Sequence, residues 1–128
     1  MAKKKDDRPT LTPEAADAFA LAVHKWQTNL NLLDWRIHKS DKAAAKANCA
    51  EVNKMDLEAR LATYRVGTDF GSIPITAQSI EEIACHEVLH VFLKELIEFC
   101  KSNTAADDIT SAEHRVINVL VKLLVPEN

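Results

Sequence analysis

His86-Glu87-Val88-Leu89-His90 sets two imidazoles four positions apart, with a carboxylate directly after the first. On a helix, residues four apart lie one turn apart on the same face, so His86 and His90 can turn ring nitrogens to one metal ion. Glu87 lies about 100° further around the helix, where it reaches a water held by the ion rather than the ion. Each residue type then has a distinct part. Zinc lowers the water's pKa and polarises a carbonyl, while the glutamate takes the water's proton and passes it to a leaving amine. Ile83, Leu89, Leu93 and Ile97 extend the histidine face as apolar surface. Two histidines and an acid in such a face are costly to bury without partners, and a metal supplies one.

A catalytic zinc normally keeps three protein ligands and an open position, so a third ligand must come from elsewhere. The extended pattern with Gly three and His six positions after the second histidine is absent, because Leu93 and Leu96 stand there. Glu113 is the favoured ligand. Val116, Ile117, Leu120 and Leu124 follow it at +3, +4, +7 and +11 and form the buried stripe of a final helix, which Glu113 continues. A carboxylate there completes a His₂Glu set, which with its open position favours zinc. Thr110 and Glu113 also have the spacing of a capping box, which would put the carboxylate on backbone amides instead. His114, Asp107 and Asp108 are the other candidate ligands, and His114 could instead donate to the oxyanion of a tetrahedral intermediate.

The elements that must hold these residues are legible in outline. Thr12-Pro13-Glu14 starts a helix with an N-cap, a proline at the first helical position and an acid in the first turn. Ala15, Phe19, Ala22, Val23, Trp26 and Leu30 carry it at helical spacing to about Asn29. Trp35 to Lys39 alternates as a strand, with His38 on the polar side. A second alternation within Ala45 to Val52 is in conflict with its alanine content, and a third runs from Ala59 to Val66, ending at Gly67. Together they predict a three-stranded meander. Ser79 and Glu82 have capping-box spacing for a long helix from about Ala77 to Cys100. Lys101-Ser102-Asn103-Thr104 breaks it, and a last helix runs from Ile109 to Val125, before Pro126.

The 128 residues suit one domain, residues 12–128, preceded by a charged flexible tail over residues 1–11. A net charge of -3 gives no overall reason to expect nucleic acid as a partner. The start of the chain lacks a secretory apolar stretch, and no run of about 18 apolar residues is present to span a membrane, so a cytoplasmic protein is expected. Cys49, Cys85 and Cys100 are odd in number and have no CxxC spacing, which argues for reduced thiols rather than disulfides or a cysteine-held zinc.

His86-Glu87-Val88-Leu89-His90, with Glu113 on the next helix 23 positions after His90, resembles the gluzincin arrangement of zinc metallopeptidases. The small size and the order of helix, short sheet, HExxH helix and Glu helix resemble minimal zincins, including SprT-like and phage-encoded metallopeptidases. Trp35-Arg36-Ile37 and Ile83-Ala84-Cys85-His86-Glu87 add to the likeness. The resemblance implies an α+β minimal zincin fold with a small, mostly antiparallel three-stranded sheet, and a peptide or protein substrate. It also implies that Ala59 to Val66 forms the cleft rim and binds substrate backbone. Gluzincins place a Tyr or His on the oxyanion, for which Tyr64, His114 and Arg115 are the candidates here. Two other functions remain open at this point: a zincin-fold binding or scaffold protein without turnover, and a DNA-associated protease, which the absence of a basic cluster argues against.

Overall fold

Thr12 begins the first helix as its sequence requires. Its side chain accepts a hydrogen bond from the Ala15 amide at 3.1 Å, Pro13 takes the first turn, and α1 spans Pro13–Asn29. Asn31 at φ 58° closes α1, with its amide on the Thr28 carbonyl and that of Leu32 on the Gln27 carbonyl. These are the two hydrogen bonds of a Schellman stop, for which asparagine tolerates the left-handed backbone. The computed structural model describes residues 10–44, 48–101 and 106–127.

The fold is α+β. Among the described residues there are four helices and one three-stranded mixed sheet, with β1 at Arg36–Lys39, β2 at Ala50–Asp56 and β3 at Leu61–Val66. The strand order is β1-β3-β2, so the strands do not form the expected meander. β2 and β3 form an antiparallel hairpin, but β3 returns between β2 and β1 and runs parallel to β1. The chain therefore leaves β1, passes to the far edge as β2, and fills the gap with β3. Ala62, Tyr64 and Val66 alternate inward on the central strand.

β2 lies further along the chain than the Ala45 to Val52 alternation predicted, and Ala45, Lys46 and Ala47 fall outside the described residues. A bulge at Asn53, between the Val52 and Lys54 pairings, interrupts the period of two and hides the strand from pattern reading. Gly67 follows β3 where an added Cβ would stand 2.8 Å from the Asn48 carbonyl oxygen, so only glycine fits. Thr10 pairs with Asp69, and the Leu11 amide donates to the Thr68 carbonyl at 2.7 Å, tying that end of the predicted tail to this loop. Residues 1–9 lie outside the described residues.

Helix α2 spans Ala77–Phe92 and starts at a capping box, formed by Thr76 and Ser79 rather than by Ser79 and Glu82. The Thr76 hydroxyl accepts the Ser79 amide and the Ser79 hydroxyl accepts the Thr76 amide. Ile80, Ala84, Cys85, Val88, Leu89 and Val91 are buried against α1 and the sheet. The predicted long helix is broken at Leu93, after which α3 runs Lys94–Lys101. Of the predicted break at Lys101 to Thr104, residues 102–104 lie outside the described residues. α4 spans Ala106–Leu124 and seats Ile109 and Ile117 in the interior. No described helix is long and apolar enough to cross a membrane.

Candidate metal centre and cleft

The apolar stripe of α2 fixes the rotation of the helix, and with it the direction of three polar side chains. His86 and His90 emerge on the flank facing α4, with their Nε2 atoms 3.3 Å apart. Glu87, one residue around the helix, turns to the sheet, where its Oε2 accepts the Val52 amide at 2.9 Å. That amide belongs to β2, which among the described residues pairs only with β3, and it points out of the sheet at the free edge. Glu87 is 7% exposed. Burial pushes its carboxyl up to about 8; the Val52 amide opposes the shift, and Glu51 and Glu113 add to it. His86 is brought down to about 4, first by burial and then by the neighbouring His90 and His114. Burial also lowers His90, against the pull of Glu113.

α4 brings two of the predicted residues to the histidines. Glu113 places Oε2 3.1 Å from Nδ1 of His90. His114 sets its ring beside both others: the ring centroids are 5.0 Å apart for His86 and His90, 4.9 Å for His90 and His114, and 5.7 Å for His86 and His114. One ring nitrogen from each of the three lies within 4.8 Å of the other two. Nδ1 of His114 stands 3.0 Å from the Thr110 carbonyl oxygen. The alternative of a capping box at Thr110 and Glu113 does not hold, because α4 begins at Ala106 and both residues lie inside it.

The other candidates stand apart. Asp107 and Asp108 are exposed in the first turn of α4 and are not in the histidine group. Arg115 is exposed on the same helix. Tyr64 is a core residue packed on Phe19, with ring centroids 5.8 Å apart, on the interior side of Glu87. Ala59 to Val66 cannot be the rim that accepts another strand, because β3 is central and paired on both sides. The free edge beside Glu87 belongs to β2.

His86 and Glu87 open on a cleft of about 620 Å³, walled by β2 and its approach on one side and by α4 on the other. Cys49 and Ala50 face Ile83, Asn118, Val121 and Lys122 across it. Sequence reasoning missed the α4 wall, although Asn118, Val121 and Lys122 follow His114 at +4, +7 and +8, the spacing of one helix face. Val52 acts through its backbone, for which no side-chain signal exists. Neither a known protein family, nor a curated protein, nor a solved structure matches the chain.

Proposed function

We propose that this protein is a metal-dependent peptidase, with His86 and His90 holding a zinc ion together with a side chain of α4, and Glu87 as general base. The observation that carries it is the close approach of the His86 and His90 nitrogens, with His86 and the buried carboxylate of Glu87 lining one cleft. The donor set fits the ion: two imidazole nitrogens at the usual zinc distance around a tetrahedral centre are about 3.3 Å apart. The same spacing is found between the two Nε2 atoms. A bound zinc would polarise the scissile carbonyl and make water a stronger nucleophile near neutral pH.

The chain's own groups supply the rest. Glu87 takes the proton from the attacking water and returns it to the leaving amine. The Val52 amide fixes the carboxylate, so the base stands ready before substrate enters. The free edge of β2 runs beside the cleft and offers main-chain groups to an extended peptide, which would add to the sheet as a fourth strand.

The test is zinc analysis with a peptide-library assay on the wild type and Glu87→Gln. One zinc per chain in both proteins is expected, with hydrolysis roughly 10²- to 10⁴-fold slower in the variant. A folded, zinc-loaded wild type that cleaves no peptide would reduce the protein to a metal-binding module.

A further inference from the structure

The two α4 residues beside the histidines are not equivalent, and the hydrogen-bond chemistry separates them. A carbonyl oxygen can only accept, so Nδ1 of His114, 3.0 Å from the Thr110 carbonyl, carries a hydrogen and leaves Nε2 with its lone pair. Glu113 does the same for His90, fixing the proton on Nδ1 and leaving Nε2 as the free donor atom. That Nε2 is the atom facing His86. Glu113 thus occupies the edge of the His90 ring opposite the shared nitrogens, and one carboxylate cannot serve both edges of the same imidazole.

Resting on the metal site proposed above, we infer that His86, His90 and His114 form the ligand set, and that Glu113 is a positioning residue that orients His90 through Nδ1. The group of mutually close donor atoms contains these three histidines and no carboxylate among the described residues. Their centroids make a nearly equilateral triangle with sides of 4.9 to 5.7 Å. Three nitrogens on one side of an ion leave its fourth position open, the geometry of a catalytic rather than a structural site. Glu113, with its side chain 11% exposed and seated between α2 and α4, is the outer partner that a metal-bound imidazole ordinarily requires. Three neutral ligands also leave the ion its full double charge, which a coordinating glutamate would halve. The inferred site therefore favours a borderline divalent ion such as zinc or cobalt.

The experiment is titration of the metal-free full chain with zinc alone and with cobalt alone, followed by X-ray absorption of the zinc-loaded protein. It covers the wild type, His86→Ala, His114→Ala, Glu113→Gln and Glu113→Asp, with circular dichroism confirming the fold of each. Absorption should count three imidazoles in the wild type and in Glu113→Gln. Affinity should fall by more than about 100-fold in His114→Ala and by roughly 10- to 100-fold in Glu113→Gln, with partial recovery in Glu113→Asp. Two imidazoles and a carboxylate in the wild type, or full affinity in His114→Ala with none in Glu113→Gln, would overturn the assignment while leaving the metal site intact. Zinc binding by the wild type that His86→Ala leaves unchanged, or no binding by either, would instead remove the metal site and the inference with it. His114 is exposed on the surface of α4, so its replacement leaves the core packing untouched.

Discussion

Replacing Glu87 by glutamine should make the metal-free protein more stable, and by an amount that grows with pH. Glu87 is buried, and its folded-state carboxyl stands at about 8 against an ordinary value of 4.5. Below pH 4.5 the group is protonated in both the folded and unfolded chains and contributes nothing. Above that value the unfolded chain releases its proton while the folded one retains it, so stability is lost progressively until the folded group titrates near pH 8. At 1.36 kcal/mol per unit, the loss between pH 5 and pH 8 is on the order of 3 kcal/mol. Glutamine is neutral throughout and keeps an oxygen for the Val52 amide. Urea denaturation of both proteins in a chelator, at intervals from pH 5 to pH 8, measures the difference directly. The two histidines titrate in both proteins, so their contribution cancels in the comparison. Curves that run parallel across this range would show that burial does not hold the Glu87 proton in the metal-free protein. On the proposed function, the glutamine variant would be at once the more stable and the less active protein, as expected where a site is built against the fold's own stability.

Ile117 is fully buried where α4 meets the core, and Ile117→Ala should lower unfolding free energy by about 2–5 kcal/mol in urea; a loss below about 1 kcal/mol would mean that α4 is not packed as described. Thr76→Ala removes the hydroxyl that accepts the Ser79 amide and should cost about 1 kcal/mol, read as a drop in thermal midpoint. Cys85 is buried and its thiol is pushed up to about 12, first by burial and then by Glu81, so iodoacetamide at pH 8 should leave it unmodified in native protein and alkylate it once urea is added. Rapid labelling of native Cys85 would refute its burial. Because burial lowers His86 to about 4, the metal-free fold should lose stability as pH falls below 6.5 toward that value, an effect smaller in His86→Leu, where His90 alone of the pair remains lowered by burial.

What the sequence disclosed and what it hid follow from the kind of signal each element emits. Thr12-Pro13 and the spacing from Phe19 to Trp26 mark α1 because capping and a single buried stripe are local properties. The histidine pair was readable for the same reason, since four positions on a helix fix a direction. The sheet was harder. β3 shows the same alternation whether it is central or at an edge, so nothing in Leu61 to Val66 announces that it lies between β1 and β2. β2 buries few side chains and carries its bulge in mid-strand, which breaks the periodicity that would have located it. The stop at Leu93 has neither glycine nor proline behind it. Sequence reasoning favoured Glu113 as the carboxylate completing a His₂Glu set and kept His114 as an alternative ligand. Telling them apart needs the nitrogen that each one addresses, and that depends on how α4 is rotated against α2.

The site draws on β2, on α2 and on α4, which comes last among the described elements. During synthesis the ribosome releases residue 90 well before residue 114, so for part of its birth the chain carries an exposed pair of histidines with no third partner. The partner of Glu87 lies on β2, which pairs with β3, and both strands precede α2 in the chain. On the proposed peptidase function, such an arrangement would keep newly made chains inert until α4 has been made. A deletion or nick before α4 would leave the sheet and α2 with two of the three clustered histidines.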